Sequence, residues 1–438
     1  MTTYNILDFG AAESDLLQTA AIQSAIDAAF LAGGGEVTVP AGFYRTGGLI
    51  LRSGVTLHLL AGAVLEGSRD PADYAAWRTD PLCPEIKEML AETGAATESR
   101  SADPFSRWNQ SLIRARNAEN IAVIGEPGCC IDGQNCFDAL GEEQYRGPHG
   151  IDLWDCKNVT LRGYTIRNTG NWAHAVFRCE NVRFEGLTVL GGHDGIDVFL
   201  CDGVTAESCR IQTGDDAVAG FGSIHVTVRD CELNSSCSCV RFGGTDALFE
   251  RCHAAAPGRY AFRGSLTPEE KALSLMPGAG HRRNTLNVFL YYCDTRFGRL
   301  PYEPGGIVFR DCRFDGVDRL FCMAFGEHIW CAGAPLRDIS FENCSFTGLR
   351  LPAFVHGDAD TPFRMTMRDC TLAPAPEADP DVLLDAELFD AVVFENVDLS
   401  AYRQPTVVVR GAGRVLSVGG STVRTVPGQP GASGFGGN

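Results

Sequence analysis

A short phrase recurs along the chain: one residue, often acidic or polar, then Cys, then a β-rich run. It reads DCKNVTL from Asp155, RCENVRF from Arg178, LCDGVTA from Leu200, DCELNSS from Asp230, DCRFDGV from Asp311 and NCSFTGL from Asn343. Cys156, Cys179 and Cys201 follow one another at 23 and 22 residues, and Cys209, Cys231 and Cys252 at 22 and 21. A period near 22 with strand-like content predicts stacked coils, because a single coil buries its apolar side only against its neighbours. Residues one period apart then become neighbours, about 4.8 Å apart in the hydrogen-bonding direction. Spacing along the sequence converts directly into contact.

Such a solenoid grows lengthwise without a second core, so 438 residues are expected to form a single domain over residues 1–426. Fifty Gly suit its many tight turns. No stretch approaches the roughly 20 apolar residues of a membrane span. The opening MTTYNILDFG carries neither a basic region nor an apolar signal core, from which a cytoplasmic location and reduced thiols are expected. The 18 Cys recur as inward-facing small residues would, without the paired Cys-x-x-Cys or His spacing of zinc sites, so no metal and no cofactor is expected. A formal charge of −18 argues against nucleic acid or anionic membrane as partners, although a local basic pocket is compatible with a single bound carboxylate. The oligomeric state stays open.

Residues 18–31, QTAAIQSAIDAAFL, have helical spacing that Gly33-Gly34-Gly35 stops, and a helix here is expected to cap the open end of the solenoid, with the first coils following to residue 70. Residues 75–107 break the pattern, with PEIKEMLAETG as a short helix in an insertion long enough to wall a binding face. A second insertion is expected over 265–306, and the tail 427–438 reads as disordered.

The sharpest chemical signal is GGHDGID at Gly191–Asp197 followed by TGDDAVAG at Thr213–Gly220. Asp194 precedes Asp215 and Asp216 by 21 and 22 residues, one period, so three carboxylates from two neighbouring coils are expected on one face. Crowded carboxylates raise one another's pKa, leaving one protonated as a donor while another acts as a base. Glycoside hydrolysis needs that division of labour. A turn-capping Asp ladder and a calcium site are the alternatives.

At these residues the chain resembles the polygalacturonase family of glycoside hydrolases. The resemblance runs from YNILDFGA through GGGEVTVPAGFY and IDGQN to RGPHGIDLWDCKNVTLRGYTIRNTGNWAHAVFRCENV. It implies an all-β, right-handed parallel β-helix. The family's Asn-Thr-Asp-Gly segment corresponds to Gly192-His193-Asp194-Gly195, and its Gly-Asp-Asp triplet is intact as Gly214-Asp215-Asp216. By resemblance, Asp216 is the general acid, Asp194 and Asp215 activate the attacking water, and the reaction inverts the anomeric centre without a metal. Two segments depart. The family's Gly-His-Gly falls at Cys237-Ser238-Cys239, putting Ser238 where the family has His, and its Arg-Ile-Lys falls near Ala261-Phe262-Arg263, keeping one cation, with Arg241 nearby. A changed substrate is expected rather than a dead enzyme.

His193 within the Asp cluster, His174 and Trp172 one coil earlier, and His328 and Trp330 in EHIW are further candidates for contact with a sugar, each weighed against plain packing. The expected function is hydrolysis of a glycosidic bond in an oligosaccharide, exo-acting if the insertions close the groove. A β-helix lyase or epimerase acting on uronates, with Arg241 or Arg263 as base, and a non-catalytic glycan-binding solenoid remain as alternatives.

Overall fold

The computed structural model describes residues 2–74, 107–141, 146–267, 269–270, 281–294, 300, 302–328, 330–378 and 381–429. Every strand pairing in it is parallel, and a coil carries three short strands, the first two of which merge into one in the coils that begin at Val218 and Ser238. One coil runs His174–Phe177, Glu180–Glu185, Thr188–Gly191, and the next runs Ile196–Phe199, Asp202–Glu207, Arg210–Thr213. Like positions pair: His174 with Ile196, Val182 with Val204, Val189 with Ile211. The chain is a parallel β-helix, as the 22-residue period requires.

The recurring Cys phrase marks corners. The residue before each Cys takes a left-handed conformation, as at Asp155 (φ 54°), Arg178 (φ 50°) and Leu200 (φ 57°), and the next coil uses Gly222 (φ 69°) at that place. The Cys then turns inward and binds corner backbone that has no strand partner. Cys156 N–H reaches Cys179 Sγ at 3.3 Å, Cys179 N–H reaches Cys201 Sγ at 3.4 Å, and Cys201 N–H reaches Ser223 Oγ at 3.0 Å. The described cysteines are all buried and unbridged. They are ladder residues, as expected, with the added task of satisfying turn amides.

Inside, like residues stack coil on coil. Phe309 lies between Phe249 at 4.6 Å and Phe341 at 5.2 Å, and Phe321 between Phe289 and Phe363. At the N-terminal end the helix Thr19–Leu31 lays Ile22, Ala25, Ile26 and Ala29 over the first coil. The short helix and wall expected over 75–107 (all but residue 107), residues 268, 271–280, 295–299 and 301 of the second insertion and the tail from 430 lie outside the described residues. Within 265–306 the strand Asn287–Tyr291 pairs with Ser238–Glu250 and Arg319–Ala324, so the coil ladder continues through the expected insertion.

One row on the outer face of the large sheet departs from a polar exterior. Trp154, Phe177 and Phe199 stack in register at 4.1 and 4.8 Å, and Phe221 and Tyr292 continue the cluster. These rings form a second apolar core beside the turns that carry the Asp cluster. Since Phe309 is wholly buried between two stacked rings, Phe309→Ala is expected to destabilise the protein by about 3–5 kcal/mol, read from the denaturant midpoint.

Candidate active site

The three aspartates sit on the turn that leads from the third strand of one coil into the first strand of the next. Two rows form there, one period apart: His193, Asp215 and Cys237 in one, Asp194, Asp216 and Ser238 in the other. Asp216 N–H donates to Asp194 Oδ1 at 3.1 Å, and Ser238 N–H donates to Asp216 Oδ1 at 2.9 Å. The carbonyl of Asp215 is anchored by Thr213 Oγ1 at 2.8 Å and Ser235 Oγ at 2.6 Å. Glycine is required beside these residues. A Cβ at Gly214 would run into the carbonyls of Ala261 and Gly192, and one at Gly192 would lie 2.9 Å from Arg263 Cγ.

The electrostatics separate the carboxyls. Burial, then the neighbouring Asp215, holds the Asp194 carboxyl well above the usual range. Burial and the neighbouring Asp216 raise Asp215 to about 6, against the opposing charges of Arg146 and Arg241 and a contact with the Cys237 thiol. Asp216 is fully buried, and Arg241 Nη1 lies 3.5 Å from its Oδ2. Asp215 alone of the three keeps part of its surface open. Asp215, Asp216 and Cys237 bring one ligand atom each within 4.8 Å of one another. Burial and the two aspartates push the Cys237 thiol upward, which opposes the thiolate a metal ion needs.

The other sequence candidates divide. Arg241 joins the cluster: its guanidinium lies 4.1 Å over the Tyr292 ring and 5.5 Å from that of Trp330, which is 46% exposed. His328 packs edge-on against Trp330 at 5.8 Å, its pKa lowered by burial and by Arg241. Ser238 lies buried in line with Asp216, away from the row of Asp215. His193 is buried beside Asp215, held neutral by burial and the Arg263 charge. Arg263 folds back over Gly192 and donates to Asn135 Oδ1 at 2.8 Å, so its charge lies upstream of the aspartates, on the side of the earlier coils. Trp172 is half-buried between Trp108, His149 and Phe199. His174 is a correction. It points into the core, bound to Tyr164 Oη and the Gly195 carbonyl at 3.0 Å each, because the strand's alternation turns Ala175 outward and His174 inward.

Residues that sequence reasoning passed over also gather here. Arg146 lies 4.7 Å over the Trp108 ring, and its charge opposes the upward shifts of Asp194 and Asp215. His149 packs at a tilt against Trp172 at 5.2 Å, with burial lowering its pKa to about 3. Asp197, in GGHDGID, is wholly buried against Asp194. The signal for it was present: an acid at an outward strand position, one period from Ala175 and Ala219.

Residues 89–237 match the family model described as Glycosyl hydrolases family 28. The chain is 30% identical over 196 residues to a protein of Vitis vinifera named Probable polygalacturonase, covering 42% of this chain and 36% of that protein. It is 49% identical over 130 residues (30% of this chain, 19% of the other) to the Exo-poly-alpha-D-galacturonosidase of Dickeya chrysanthemi. It is also 59% identical over 178 residues (39% and 15%) to Mannuronan C5-epimerase AlgE5 of Azotobacter vinelandii. The chain thus spans about a third or less of the length of these relatives. The Yersinia enterocolitica family 28 exopolygalacturonase structure superposes with a TM-score of 0.53 at 18% identity, over 98% of this chain and 79% of that one, a likeness of fold. With the Gly-Asp-Asp turn intact and the coil pattern continuous through it, residues 89–237 are similar to family 28 of the glycosyl hydrolases, and the likeness to the relatives is confined to less than half of the chain.

Proposed function

We propose that the protein is a glycoside hydrolase in which Asp215 protonates the leaving oxygen while Asp194 and Asp216 orient and activate the attacking water. The observation that carries this reading is the contrast within the turn. Asp216 is buried, with its carboxylate already engaged by the Ser238 backbone amide and by Arg241. Asp215 is open on one side and holds its proton up to about pH 6. The acid role therefore passes from Asp216, where the resemblance put it, to Asp215. Inversion follows from the resemblance.

An acidic oligosaccharide is the substrate that the surrounding charge favours, since Arg146 and Arg263 lie upstream and Arg241 downstream of the aspartates. Action from a chain end is supported by the upstream wall. There Trp108 Nε1, Ser111 Oγ, Asn135 Nδ2, His149 Nδ1, Asp152 Oδ2 and His193 Nε2 are buried without a hydrogen-bond partner among the described residues. A sugar ring supplies the hydroxyls that such donors and acceptors lack. The similarity to an exo-poly-alpha-D-galacturonosidase agrees with this. A second reading, uronate epimerase or lyase, is favoured by the 59% identity to a mannuronan C5-epimerase.

One assay separates them. New reducing ends without ultraviolet-absorbing product, from uronic oligosaccharides, identify the hydrolase, whereas an unsaturated product or an epimerised chain identifies the second reading. Asp215→Asn is expected to lower kcat by about 10³-fold. Because the acid acts in its protonated form, kcat/KM should fall as pH rises through about 6. Trp330→Ala, at an exposed ring beyond Arg241, should raise KM about tenfold with kcat little changed, the loss of one stacking contact of about 1.4 kcal/mol.

A further inference from the structure

The hydrolase reading leaves one buried acid without a task. Asp197 lies on the strand Ile196–Phe199, where Ile196 and Val198 enter the core and Asp197 and Phe199 face the other way. It is 0% exposed. Its in-register neighbours are Ala175 and Ala219, so neither adjoining strand offers it a side-chain donor. Neither of its carboxyl oxygens has a donor among the described residues. What lies within hydrogen-bonding reach is the Asp194 carboxyl, another acceptor.

Two carboxyls in contact form a hydrogen bond only when one of them carries a proton. The charged groups that face Asp197 are Asp194, Asp215 and Asp216 from the two turns and Arg241 from the strand Ser238–Glu250, with Asp152 farther along the same row beyond Ala175. One guanidinium does not neutralise so many carboxyls, which favours retention of a proton. Between the two partners, Asp194 already accepts the Asp216 amide, a bond that stabilises its charged form, and Asp197 accepts none. One proton therefore lies between the two carboxyls.

We propose that Asp197 is a positioning residue that shares one proton with Asp194, the hydrogen bond so formed aiming the Asp194 carboxyl at the attacking water. Burial raises both carboxyls well above the usual range, and the contact with Asp194 opposes that rise at Asp197. The task given to Asp194 rests on the hydrolase reading; the shared proton does not.

The test has two arms. In infrared difference spectra between wild type and Asp197→Asn near pH 7, the wild-type protein should show a carbonyl stretch of a neutral carboxylic acid that the variant lacks. In kinetics, Asp197→Asn keeps an N–H donor and should hold kcat within about fivefold of wild type, with the acidic limb of kcat/KM unmoved. Asp197→Leu removes the donor and should cost about 10²-fold in kcat with little change in KM. Its acidic limb should move to higher pH, because Asp194 then takes up the proton itself. An infrared band unchanged by Asp197→Asn overturns the shared proton. An Asn variant as slow as the Leu variant, with an unaltered unfolding midpoint, overturns the positioning role. If the Leu variant fails to fold, the Asn variant and the spectrum still decide. A wild type inert on every glycan defeats the hydrolase reading while the infrared arm still reports on the pair.

Discussion

A backbone amide of one coil reaching the carboxylate of the coil before it holds the whole site in place. Asp216 N–H binds Asp194 at 3.1 Å and Ser238 N–H binds Asp216 at 2.9 Å. Parallel stacking brings like positions together, and corner amides left outside the strand ladders need an acceptor. At the first corner the acceptor is Cys or Ser, as in the row Cys156, Cys179, Cys201 and Ser223. At the corner with the candidate chemistry it is Asp. The same structural device, carried out by an ionisable residue, sets two carboxylates in line with an orientation the fold itself enforces.

The price of that arrangement is electrostatic. Asp194, Asp197, Asp215 and Asp216 meet within two turns and one strand, and desolvation is the largest cause of the upward shift for the first three. Compensation arrives from distant parts of the chain. Arg146 comes from the coil upstream and Arg241 from the strand downstream, and both oppose the shift of Asp215. A protein with formal charge −18 thus concentrates guanidinium groups at one place. Two of them lie over aromatic rings, Trp108 under Arg146 and Tyr292 under Arg241, where a ring face favours a cation without competing for its donors.

Much of this was legible in the residue order, for a physical reason. In a solenoid the contact between coils is a constant offset, so the spacing of Asp194 and Asp216 is also their adjacency. The Cys rows and the capping helix follow from the same regularity. What the period could not supply was direction and non-periodic contact. His174 has the right coil but the wrong side of its strand, which depends on the alternation phase rather than on the repeat. Arg263 reaches back to Asn135 through an irregular segment, a separation of 128 residues with no periodic relation. Arg146 precedes and His149 opens a strand in a coil whose spacing is not yet regular, and only the packing against Trp108 and Trp172 reveals them.

The raised carboxyl values also bear on stability, and the sign is fixed by the direction of the shift. A carboxyl whose folded-state pKa exceeds its unfolded value binds its proton more tightly in the native protein, so it supports folding at low pH and works against it once ionised. For Asp215 that support is present below its ordinary value of 3.8 and is lost as pH rises through about 6. The hydrolase reading needs the proton on Asp215 over this same range. Function and fold therefore draw on one protonation state, and the chemistry becomes harder as the turn becomes less stable. The coils on either side, closed by stacked Phe rows and amide-binding Cys corners, are what make such a turn tolerable. Strain of this kind is confined to two coils, because each repeat contacts only its neighbours and the rest of the solenoid need not register it.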